Sequence, residues 1–126
     1  MAEQRGNTRY LTQAKVRIGG SGIEEIQLKD LSITGCRILY PGYTELELNE
    51  QYKIEIQPEG ESKIGMFNLL VEAKWIKTID LTNEIGFVVI KSPSGKLFQR
   101  YVDYLSWRYS HGNSMTGERP PEFPPV

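Results

Sequence analysis

The chain has 126 residues, enough for one domain with its own core. Its 15 basic and 16 acidic side chains leave a net charge of −1, which argues against a general nucleic-acid binder. Cys36 is the only cysteine, so no intrachain disulfide can form, and no apolar run approaches the roughly 18–20 residues that cross a bilayer. The polar start Met-Ala-Glu-Gln-Arg carries no signal peptide, and a cytoplasmic protein without membrane insertion is expected.

Residues 1–9 are polar, contain Gly6 and read as a flexible arm. Over 10–18, Ala14, Val16 and Ile18 alternate with Lys15 and Arg17, which predicts a half-buried strand. Gly19-Gly20-Ser21-Gly22 ends it in a turn. Ile23, Ile26, Leu28 and Leu31 predict a second strand, and residues 34–40 a third with Cys36, Ile38 and Tyr40 on one face. Pro41-Gly42 breaks it, and a weak extended piece is expected at Leu46-Glu47-Leu48. Tyr52, Ile54 and Ile56 mark the next strand, and residues 58–62 a turn or loop.

Residues 66–79 form a long apolar run, with Phe67, Leu69, Val71, Ala73 and Trp75 expected on one face. After a turn at 80–83, the nearly all-apolar stretch 85–90 with Gly86 inside reads as a central strand or a bulge. Six or seven strands joined by short turns argue for a barrel or sandwich rather than a doubly wound nucleotide fold. The period then changes. Ser92-Pro93-Ser94 can open a helix, and Phe98, Val102, Leu105 and Tyr109 follow helical spacing to an end near Gly112. The tail, residues 111–126, is rich in glycine and proline and is expected to be extended or disordered.

Two short motifs carry the functional signal. Arg5-Gly6-Asn7-Thr8-Arg9 places two arginines four apart, and Asp30-Leu31-Ser32-Ile33-Thr34-Gly35 follows about twenty residues later. Taken alone, the first is a solvated basic arm. The second is a turn between strands, with Asp and Ser capping backbone and Gly35 accepting a positive φ. Their chemistry allows more. An arginine fork grips phosphate and stacks on a base, a carboxylate can accept the N1–H and amino group of guanine, and a serine hydroxyl can reach phosphate. Residues 1–37 hold six basic and four acidic groups, so the local charge is +2 against −3 for the rest, which suits a small anionic ligand.

The paired motifs resemble the signature of PilZ domains, bacterial receptors for cyclic di-GMP. The stretches Ala73-Lys74-Trp75-Ile76 and Glu84-Ile85-Gly86-Phe87-Val88 are similar to the later core strands of that family, and the likeness covers roughly residues 4–109. The resemblance implies a mainly β fold, a six-stranded antiparallel barrel with a C-terminal helix over 10–110. It implies cyclic di-GMP as ligand and Arg5, Arg9, Asp30, Ser32 and Gly35 as its contacts. Gln4 stands where many members carry a further basic residue, which bears on whether one or two ligands bind. With no room for a second domain, output is expected to pass to a protein partner.

Other readings follow from the same residues. A barrel of this kind could act as an interaction module that binds no nucleotide, through Tyr104 and Trp107 if they face away from the barrel, or through the proline-rich tail. A single-stranded nucleic-acid binder needs aromatics along a basic groove, and the near-neutral charge counts against it. Catalysis finds little support. His111 is the only histidine, Cys36 alternates with core residues, and no phosphate-binding loop is present. A non-enzymatic protein without metal or cofactor is expected, with no DNA or RNA partner.

Overall fold

The computed structural model describes residues 8–19 and 26–111. Arg5, the turn residues 20–22 and the tail from 112 onward lie outside the described residues, so the expectations placed on them stand apart from the fold. The elements are β1 (Tyr10–Leu11), β2 (Lys15–Ile18), β3 (Ile26–Leu31), β4 (Gly35–Pro41), β5 (Gln51–Gln57), β6 (Phe67–Ile79), β7 (Thr82–Lys91) and α1 (Gly95–His111). Every strand pairing is antiparallel. From β3 the ladder runs through β2, β5, β6, β7 and β4, and β4 pairs back onto β3. Six strands thus close a barrel, with β1 added beside β3.

Alternation fills the interior. Val16, Ile26, Leu28, Ile38, Ile54, Ile56, Leu69 and Ile85 are buried, and in β2, β4 and β5 the residues between the buried ones are less buried. The C-terminal helix lays Phe98, Tyr101, Val102 and Leu105 on this core. Phe67 links the two, its ring centroid 5.9 Å from those of both Phe98 and Tyr101. The helix starts at Gly95 rather than within Ser92-Pro93-Ser94, and the Ser94 carbonyl accepts its first bond from Phe98 N at 3.0 Å.

Among the departures from simple alternation, four shape the surface around the motifs and the expected elements. The expected first strand is split, because Thr12 takes over as a stitch: its Oγ1 donates to Leu28 O at 2.7 Å and accepts from Ala14 N at 3.1 Å. No strand forms at 46–48; this stretch runs from irregular chain into a turn, with Asn49 at a φ of 66°. In β3 the register skips Lys29, since Leu28 opposes Ile38 while Asp30 opposes Arg37. In β6 it skips Lys74, since Ala73 opposes Phe87 while Trp75 opposes Gly86. Each bulge reverses the facing of the residues that follow. Trp75 therefore leaves the inner face on which it was expected and stands 38% exposed, while Ile76 turns in against the core.

Candidate functional site

The bulge at Lys29 decides where Asp30 goes. Strict alternation from Ile26 and Leu28 would aim Asp30 into the core. The skipped residue puts Leu31 there instead, fully buried, and leaves Asp30 opposite Arg37. β1 pairs with the end of β3, Tyr10 opposing Leu31 and Leu11 opposing Asp30, which brings Arg9 to the same spot. The result is a chain of alternating charges. Arg9 Nη1 donates to Asp30 Oδ1 at 3.4 Å. Arg37 Nε donates to Asp30 Oδ2 at 2.7 Å, and Arg37 Nη2 donates to the same oxygen. Arg37 Nη1 donates to Glu84 Oε2 at 3.1 Å, and Lys29 Nζ donates to that oxygen at 3.2 Å.

Three cations thus share two carboxylates. The Asp30 side chain is only 2% exposed, whereas that of Arg9 is 44% exposed and held by one long contact. Hydrogen bonding to Asp30 raises the Arg37 guanidinium above its already high value, so it stays charged at any working pH. Beside the seam lies a cleft of about 620 Å³, within the range of small-molecule sites, lined by Arg9, Tyr10, Lys29, Arg108 and Tyr109 among others.

Ser32 and Gly35 serve the turn. The Ser32 hydroxyl accepts from Thr34 N at 3.2 Å and Gly35 N at 3.1 Å, and Ser32 N donates to Gly35 O at 2.8 Å. Ser32 is buried within this hairpin. Gly35 does not take the positive φ expected of it; among the described glycines only Gly42 does. Its reason is proximity: a Cβ would lie 2.5 Å from Phe87 O on β7 and 3.8 Å from Arg9 Nη2. Arg9, Asp30, Ser32 and Gly35 are therefore brought together, and Arg5 lies outside the described residues.

Sequence reasoning missed Arg37, Glu84 and Lys29, and it took Trp75 for a core residue. Asp30, Arg37, Gly86 and Trp75 form one row across four strands. A Cβ on Gly86 would fall 2.2 Å from the Trp75 indole, so the indole lies across the glycine. Arg37 could have been found from its alternation with Cys36 and Ile38, which points it outward, but the bulges that complete the row leave no mark on hydrophobic period.

A model of the PilZ domain family matches residues 2–105. The chain belongs to this family. PilZ domains form a cyclic di-GMP-binding family of binding and effector modules, generally non-enzymatic. No curated protein matches the chain. The PilZ barrel expected from the motifs is the one observed, with β1 as an extra strand. Among the described residues, no three His, Cys, Asp or Glu side chains are grouped to hold a metal, and no helix is long and apolar enough to cross a membrane.

Tyr104 and Trp107 do not face away from the barrel, the condition under which they would have offered a partner site. Tyr104 is 4% exposed, stacked 6.2 Å from Tyr101, and Trp107 packs partly against the core. His111 is exposed at the helix end, with Nδ1 2.8 Å from Trp107 O. Cys36 is fully buried, and burial followed by the nearby Asp30 charge pushes its thiol up to about 12.

Proposed function

We propose that this protein is a cyclic di-GMP receptor whose ligand settles on the barrel face around Arg9 and Asp30 and changes the surface offered to a protein partner. The observation that carries this reading is the incomplete seam: three cations on two carboxylates, with Arg9 loosely held at the mouth of a cleft of about 620 Å³. A phosphate would supply the missing negative charge. Arg9, joined by Arg5, would turn from Asp30 to the phosphates and stack on a base. Asp30, released from Arg9, would accept from the guanine edge. Ser32 and Gly35 would act by holding the hairpin that aims Asp30 and by letting the arm approach the sheet. The exposed Trp75 indole offers a further face for stacking. The reaction sequence ends at binding, so no metal, cofactor or catalytic group is called for.

Isothermal titration calorimetry with cyclic di-GMP, beside GTP, tests this directly. Micromolar or tighter binding of the cyclic dinucleotide alone is the expected result, and the stoichiometry gives one ligand or two. A folded protein that takes up no ligand at several temperatures would overturn it. The alternative, an interaction module that binds no nucleotide, draws on a different surface. Tyr43 and Leu81 are 86% and 84% exposed at the rim of an apolar cleft floored by Leu46 and Ile76.

A further inference from the structure

Asp30 has two arginine partners, and they are unequal. Arg9 reaches Oδ1 at 3.4 Å through one nitrogen. Arg37 places two nitrogens on Oδ2, one of them Nε at 2.7 Å, and anchors its third on Glu84 at 3.1 Å. Glu84 is 8% exposed and is itself held by Lys29 at 3.2 Å. The planar fork therefore fixes the Asp30 carboxylate from a rigid strand, while Arg9 merely touches it. One oxygen is committed to Arg37, and Oδ1 is the acceptor that becomes free when Arg9 turns away.

We propose that Arg37 is a positioning residue that gives the cyclic dinucleotide site its preference for guanine; this rests on the receptor reading above. Guanine presents adjacent N1–H and amino donors to an acceptor. Adenine in the same place presents the N1 lone pair, which a carboxylate oxygen repels. The discrimination works only while Oδ1 is held in one direction, because a carboxylate free to rotate can turn away from the wrong base and accept from its amino group instead. Arg37 removes that freedom without touching the ligand. A lysine in its place would keep the charge but could not span Oδ2 and Glu84 as a planar fork.

The test is a pair of titrations, cyclic di-GMP and cyclic di-AMP, on wild type, Arg37→Gln and Arg37→Lys, each with a thermal melt. Arg37→Gln is expected to lower the ratio of the two affinities about tenfold or more, and Arg37→Lys to lower it less. A folded Arg37→Gln that keeps the wild-type ratio overturns the proposal. So does an equal loss for both dinucleotides, which would place Arg37 on the shared phosphates. Should Arg37→Gln fail to fold, Glu84→Gln loosens the fork from its far side. It is expected to lower the ratio about threefold, and an unchanged ratio would again overturn the assignment. Wild type that binds neither dinucleotide overturns the receptor reading itself.

Discussion

Arg108 and Arg37 each grip a buried carboxylate, but the two networks close differently. On the helix side, Glu59 Oε2 accepts from Arg108 Nη1 at 2.6 Å and Oε1 accepts from Tyr101 Oη at 2.6 Å. A second Arg108 nitrogen, Nη2, donates to Leu11 O at 2.6 Å, and the guanidinium lies 5.7 Å from the Tyr104 ring centre. One acid meets one base, and both carboxylate oxygens and both terminal guanidinium nitrogens have short partners. On the Asp30 side, three bases meet two acids, and the outermost base hangs on a contact of 3.4 Å. A saturated pair holds a helix to a barrel. The unsaturated one leaves a cation in excess, and the proposed receptor role draws on that excess. Charge balance and contact length, more than burial, separate the two.

The largest effect expected from breaking this comparison is at the saturated pair. Glu59→Ala strands the Arg108 charge and the Tyr101 hydroxyl, and should cost about 3 kcal/mol of stability in a denaturant titration. Its affinity for cyclic di-GMP should not fall, because the stranded Arg108 lines the same cleft as Arg9 and can only add attraction for an anion. Arg9→Ala should do the reverse. Loss of a charge-assisted contact worth about 1.5–3 kcal/mol lowers affinity roughly ten- to hundred-fold, with the melting temperature almost unmoved. If Arg9→Ala instead lowered stability and left binding alone, the two networks would have the same role.

Gly35→Ala sharpens the contrast from the backbone. The added Cβ, 2.5 Å from Phe87 O, must push β4 away from β7, at a cost of about 2 kcal/mol. Because β4 carries Arg37, affinity should fall with stability, unlike in Arg9→Ala.

The smallest effect is one of pH. The buried Cys36 thiol lies behind the seam and is raised from 9.0 to about 12. In the unfolded chain it ionises from about pH 9 upward while the folded thiol keeps its proton. The unfolded state is then favoured, and stability falls by about 1.4 kcal/mol by pH 10. Below about pH 8 almost nothing is lost. Cys36→Ala should flatten denaturation midpoints between pH 8 and pH 10. Above that range Tyr101, also raised by burial and by Glu59, adds its own loss.

Much of this molecule is legible in its sequence. The β4 and β5 strands and the helix follow from period two giving way to a helical stripe, because each has one buried face, and β7 follows from a short apolar run. The residues that period cannot place are those after a bulge. Lys29 and Lys74 are ordinary lysines in polar slots, and nothing in their type announces that the register skips them. Yet those two skips bring Asp30 and Trp75 onto the outer face. The Asp-x-Ser-x-x-Gly motif pointed to the candidate site through family resemblance, and its serine and glycine shape the hairpin. Arg37 was invisible as the partner of Asp30, and Glu84 as the partner of Arg37, because they meet only through strand pairing, which hydrophobic period does not give.

Trp75 turns the row into an instrument. The chain has two tryptophans, and the other, Trp107, sits on the helix. Trp107→Phe leaves one indole emitter, three strand spacings or about 14 Å from Asp30 along a single rank of the sheet. Its emission colour and yield depend on the charge and solvent that reach its exposed face. The unlabelled protein then carries its own optical gauge on the face where the seam lies, readable in stopped flow at concentrations too low for heat to be measured.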